Sequence, residues 1–161
     1  MGLNISLLFL VATIQNVSFA NLKYDPNDLD QFNKTNQCIG CDLSNSTLSG
    51  NHSKAILQKS NLTSSVIFNT FSQSDFSYVN GSHGSWSSTN FSYTNFSNAT
   101  LNATKFTSAD LEFSDFSNAV VISADFSQAD LYGAKITSDQ LATAASVCNA
   151  ILPDGSKGQC P

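Results

Sequence analysis

A bulky apolar side chain recurs at every fifth residue across the middle of the chain. It falls at Phe71, Phe76, Trp86, Phe91, Phe96, Leu101, Phe106, Leu111, Phe116, Val121, Phe126, Leu131 and Ile136, and Gly81 is the one gap in fourteen units. Two positions before the centre the residue is nearly always small, as at Ser74, Thr89, Thr94, Ala99, Thr104, Ala109, Ser114, Ala119, Ala124, Ala129 and Ala134, with Asn69 and Val79 the largest exceptions. One position after it, Ser is commonest. Neither helix nor strand has this period. A helix turns about 100° per residue, so a five-residue step leaves successive centres about 140° apart, sharing no face. In a flat strand an odd step sends alternate centres to opposite faces. The pattern fits a chain that bends about 90° after every five residues. All centres then point inward, four units close a square coil, and stacked coils bond backbone to backbone at about 4.8 Å.

In that frame the core stacks in columns twenty residues apart. One column holds Phe76, Phe96, Phe116 and Ile136, and another Phe71, Phe91, Leu111 and Leu131. A third holds Trp86, Phe106 and Phe126, and the fourth Gly81, Leu101 and Val121. Trp86 shares a coil with Gly81, and its indole is expected to fill the space that the glycine leaves. Upstream the frame slips twice, with nine residues from Leu48 to Leu57 and nine from Leu62 to Phe71. Irregular corners or small loops are expected there. An open coil would expose its core and unpaired backbone, so both ends need covers. Asp25-Pro26-Asn27-Asp28 opens a short N-terminal helix, and Thr137-Ser138-Asp139-Gln140 has capping-box spacing for a second helix running to about Val147.

Units such as Ala109-Asp110-Leu111, Ser114-Asp115-Phe116, Ala124-Asp125-Phe126 and Ala129-Asp130-Leu131 resemble the pentapeptide repeat family, with its A-(D/N)-(L/F)-x-x consensus. The resemblance covers about residues 41–138. It implies an all-β solenoid, a right-handed quadrilateral β-helix, here with short α-helical caps at both ends. The expected order is a signal peptide over 1–20, an N-terminal segment with a capping helix over 21–40, the β-helix over 41–138, and a C-terminal cap of helix and disulfide-tied tail over 139–161.

The leader changes the setting. Leu7-Leu8-Phe9-Leu10-Val11-Ala12 is an apolar run, and Ser18-Phe19-Ala20 places small residues where a signal peptidase reads, which predicts cleavage before Asn21. The apolar stretch is short for a bilayer span, so no stable membrane insertion is expected after cleavage, and the protein is expected to be secreted or periplasmic. Four cysteines agree with export. Stacked coils would separate Cys41 from Cys148 by about 25 Å, beyond the reach of a disulfide. That leaves Cys148 with Cys160, while Cys38 and Cys41 pair locally or stay reduced.

Composition removes several functions. Charged residues are 12% of the chain, the net charge is −5, and all seven basic residues are lysine. A nucleic-acid binder needs a basic stripe and favours arginine forks, so no nucleic-acid partner is expected. Only His52 and His83 offer a base near neutral pH. Gly81-Ser82-His83-Gly84-Ser85 lacks the order of a nucleophile elbow, and an outward loop histidine is expected there. The carboxylates fall at regular outward positions. No enzyme, cofactor or metal is expected. Nine Asn-x-Ser/Thr sequons lie beyond residue 20, several of them by-products of the repeat.

The outer faces carry what remains. Asp110 and Asp130 should stack on successive coils with Glu112 alongside, and Tyr93, Phe113 and Tyr132 decorate the same face, a candidate surface for a protein partner. Val120 and Ile122 put apolar side chains outward and are candidates for a homodimer contact. The function expected is a non-catalytic exported scaffold or interaction module. The alternative is the family's DNA mimicry toward type II topoisomerases, which the leader and modest acidity oppose.

Overall fold

Each five-residue unit turns one corner. The N–H three residues after the centre donates back to its carbonyl, as from Ala109 to Phe106 (2.9 Å), Ser114 to Leu111 (3.1 Å) and Ala124 to Val121 (3.0 Å). The residue two after the centre takes the left-handed backbone, with φ of 58° at Ser108, 55° at Phe113 and 58° at Ser123. The residue before the centre pins the turn. The Oδ1 atoms of Asp110, Asp115, Asp125 and Asp130 each accept from the backbone N–H two residues on, at 2.9–3.1 Å. An Asx turn of this kind explains why Asp and Asn precede so many centres.

The computed structural model describes residues 24–161, so the segment 1–20 expected to be a signal peptide lies outside the described residues. Parallel backbone bridges join successive coils. From Thr70↔Asn90 to Asp115↔Lys135 the partners are twenty residues apart, as in Asn95↔Asp115 and Lys105↔Asp125, and the last parallel bridges, Asp125↔Ser146 and Asp130↔Ile151, span twenty-one. The earlier coils use nineteen, as in Gln37↔Ile56 and Asp42↔Asn61. There the shortened sides are regular strands, β1 (Thr47–Asn51) and β2 (Val66–Thr70), paired in parallel with Leu48 opposite Ile67. The two frame slips are therefore a matched strand pair rather than loops. Both strands kink at one paired position, Gly50 (φ 125°) opposite Asn69 (φ 79°), which keeps them in register. Elsewhere a corner every five residues leaves one bridged residue per side, so the ladders consist of single bridges.

All four columns are buried. Ring centroids lie 5.3 Å apart for Phe76–Phe96, 5.0 Å for Phe96–Phe116 and 5.3 Å for Phe106–Phe126. The small inward residues are buried too, and where they carry a hydroxyl it is satisfied. Thr89, Thr94 and Thr104 donate to the carbonyls of Ile67, Phe71 and Gly81 in the preceding coil at 2.8–2.9 Å. Trp86 is fully buried and fills the Gly81 gap, since a Cβ on Gly81 would stand 2.3 Å from the indole Cη2. The indole Nε1 donates to Ser65 Oγ at 3.0 Å.

The N-terminal end is closed by α1 (Pro26–Thr35), whose Asp25 N-cap accepts from Asn27 N at 2.8 Å. Asp28 Oδ2 accepts from the Asp42 N–H of the first coil at 2.8 Å, so the cap pairs a backbone group that the open end leaves free. Cys38 and Cys41 are joined in a disulfide (Cα–Cα 5.6 Å) beneath this helix, and Cys148 to Cys160 (4.3 Å) ties the opposite end. Phe32 of α1 lies over His52, 4.7 Å between rings, and His52 lies 5.0 Å from Phe71. His52 thus stands in a core column, in the slot that the shortened β1 side creates.

Nδ1 of His52 faces Asn36 Oδ1 at 2.8 Å and Nε2 faces the Ser49 carbonyl at 3.2 Å. Burial lowers its pKa, against the opposing pull of the Ser49 carbonyl. A histidine held below its unfolded value favours folding above that value, about 6.5, and this contribution is lost as pH falls through the folded pKa. Thermal melts of the wild type should therefore drop more steeply between about pH 7 and pH 5 than those of His52→Phe. Parallel curves for the two proteins would remove His52 from the cap's energetics.

At the other end α2 spans only Ser138–Ala142, with a Thr137–Gln140 capping box. It stops short of the expected Val147 because the chain returns to coil bonding. Ala145 N donates to Ala124 O at 2.8 Å, and Ser146 and Ile151 bridge Asp125 and Asp130. The last coil is a repeat coil with a helical turn set into one side. Gln140 Nε2 donates to the carbonyls of Phe116 and Ala119, both at 2.8 Å, where a further coil would otherwise have bonded.

Candidate interaction face

The turn that makes each corner also places the outward side chains. Tyr93 and Phe113 occupy the left-handed position of vertically adjacent corners (φ 58° and 55°), which throws their rings out of the coil. The rings stack at 5.0 Å with planes 18° apart, and Tyr132 meets Phe113 edge-on at 5.8 Å. All three stay open to solvent, at 58%, 44% and 48%. Gly133 takes the next position in the column, and a Cβ there would lie 2.5 Å from the Phe113 ring. The missing side chain lets Phe113 lie down on the coil, while Tyr132 projects one residue earlier.

The acidic line runs beside this ladder. Asp110 and Asp130 are bridge partners, and Tyr93 N donates to Glu112 O at 2.8 Å, so Glu112 stands directly next to the Tyr93 corner. Partial loss of hydration, then repulsion from Asp130 and Asp110, raises the Glu112 pKa. The ion pairs among the described residues are Lys34–Asp30 and Lys135–Asp115, so no lysine neutralises Asp110, Glu112 or Asp130. Asp110 and Asp130 also hold Asx turns, so their carboxylates are fixed in place as well as charged.

The second apolar pair lies elsewhere. Val120 and Ile122 are 41% and 52% exposed and line a shallow groove with Asp139, Gln140 and Thr143 of the α2 region. His83 is exposed at a corner, and His52 serves the core as described. Asp28, Cys38 and Cys41 bring three potential ligand atoms within 4.8 Å of one another, but the two sulfurs are bonded to each other and have no thiolate to offer. Among the described residues no helix is long and apolar enough to cross a membrane.

A family model described as pentapeptide repeats, in eight copies, matches residues 87–121 and 104–137. The chain carries pentapeptide repeats. No curated protein matches it. Solved structures similar to this pentapeptide-repeat chain include the pentapeptide repeat protein Rfr23 from the cyanobacterium Cyanothece 51142. It has 23% identity and a TM-score of 0.37, over 67% of this chain and 82% of that one. A pentapeptide repeat protein of the Arabidopsis thaliana thylakoid lumen has 18% identity and a TM-score of 0.39, over 79% and 88%. HetL of Nostoc sp. strain PCC 7120, a pentapeptide repeat protein involved in heterocyst differentiation regulation, has 21% identity and a TM-score of 0.35, over 75% and 72%.

Proposed function

We propose that this pentapeptide-repeat chain is a non-catalytic exported scaffold, secreted or periplasmic. It binds a protein partner through the face of Tyr93, Asp110, Glu112, Phe113, Asp130 and Tyr132. In this reading a cleaved signal peptide over 1–20 precedes a right-handed quadrilateral β-helix, and Val120 and Ile122 form a homodimer contact. The observation that carries it is the Tyr93–Phe113–Tyr132 ladder, three open aromatic side chains held on a rigid repeat. Exposed rings in ordered array suit recognition, since aromatic side chains dominate interface energetics at a small entropic loss. Two disulfides favour an oxidising compartment.

Cell fractionation with N-terminal sequencing tests this. The mature protein should begin at Asn21 and lie outside the cytosol. A cytosolic, unprocessed protein that blocks DNA supercoiling by a type II topoisomerase would replace this proposal with the DNA-mimic alternative.

A further inference from the structure

We propose that the Tyr93–Phe113–Tyr132 face takes a cationic peptide segment, a lysine- or arginine-rich stretch of the partner protein. This rests on the interaction-module reading and adds the partner's chemistry. Tyr93 ends the aromatic stack. Phe113 covers one face of its ring, no other ring stacks on the second among the described residues, and 58% of the residue is exposed. An open aromatic face attracts a guanidinium or ammonium group. Glu112 and Asp110 lie in the Phe113 coil, Glu112 accepting through its carbonyl from the Tyr93 N–H, and Asp130 lies one coil further. An extended stretch with several cations can thus lay one on the open Tyr93 ring and others beside these carboxylates along the ladder, where no lysine of this chain forms an ion pair among the described residues. A polyanion would be repelled from the same ground. A second copy meeting this face about a two-fold axis would set like charges against like charges, so self-association through it is disfavoured. Both parts of the surface are pre-organised, the carboxylates of Asp110 and Asp130 by their Asx turns and Phe113 by Gly133.

The probe is an end-capped decapeptide of alternating Arg and Gly, with a Glu–Gly decapeptide as its counterpart, titrated calorimetrically into the full disulfide-bonded protein. The Arg peptide should bind, more weakly as salt rises, and the Glu peptide should not. The double variant Glu112→Gln/Asp130→Asn keeps an amide oxygen for the turn and should weaken binding about tenfold. Tyr93→Ser should weaken it about fivefold with the salt dependence retained. Asp30→Asn, on the N-terminal helix α1, should leave affinity unchanged. Absence of Arg-peptide binding, or equal affinity in all the variants, overturns the proposal. Fractionation reports separately: an exported protein that ignores the Arg peptide loses the cationic partner alone, whereas a cytosolic protein that binds it loses export alone.

Discussion

Phe96→Ala should destabilise the fold by about 3–5 kcal/mol, lowering the melting temperature by roughly 10 °C. Phe96 is fully buried at the middle of its column. It stacks on Phe116 at 5.0 Å and lies 5.3 Å from both Phe76 and Phe91, with Phe106 at 5.9 Å and Trp86 at 6.2 Å. The neighbours cannot collapse into the hole, because each is fixed by its own corner and by bridges to two coils. In a stacked array each coil touches only its neighbours, so a hole at mid-stack weakens two interfaces at once. Ile136→Ala in the same column is the control. Ile136 is 9% exposed next to the C-terminal end, where relaxation is easier, and its loss should be smaller. Equal losses at the two positions, by denaturant or thermal unfolding, would mean that the column does not act as a continuous stack.

The columns were legible because burial writes itself into sequence. An inward position accepts one kind of side chain, so Phe96 and Phe116 recur at a fixed interval. The corner that produces the interval was not legible. Its left-handed residues include Gln73, Tyr78, His83, Tyr93 and Phe113, where glycine or asparagine would have given the usual signal. Asx turns and coil bridges hold these residues in a conformation that their own preferences disfavour. His52 was hidden for a related reason. A polar residue took a core slot one residue early, and only the ring stack of Phe32 and Phe71 reveals the substitution. The early end of α2 reflects competition. Residues 142–145 favour helix by composition, but the bond from Ala145 to Ala124 holds the chain in the coil. On the candidate face, Tyr93 and Phe113 could be paired from their twenty-residue spacing. That Phe113 lies over Gly133 and meets Tyr132 edge-on needed the geometry.

Gly81→Ala is expected to be nearly as damaging as a core truncation, although it only adds a methyl group. The new Cβ would stand 2.3 Å from Trp86 Cη2, 2.7 Å from Cζ2 and 3.0 Å from Leu101 Cδ2. The indole cannot retreat. The rings of Phe76, Phe91, Phe96 and Phe106 surround it at 5.5–6.2 Å. Gly84 is approached as closely along the same edge, where a Cβ would lie 2.6 Å from Nε1, and the Nε1–H bond to Ser65 fixes the ring's depth. Overpacking of this kind costs about 1–3 kcal/mol, more where no neighbour can give way. The two glycines and the tryptophan thus form one packing unit, which is why the repeat tolerates a missing centre at Gly81. A double-mutant cycle reads this directly. Trp86→Phe alone should destabilise by leaving a cavity and stranding Ser65 Oγ. In the Gly81→Ala background the smaller ring should make room for the methyl, so the double variant should be more stable than the sum of the single losses by at least about 1 kcal/mol. Additive losses would show that Gly81 is required by its backbone rather than by the indole that lies over it.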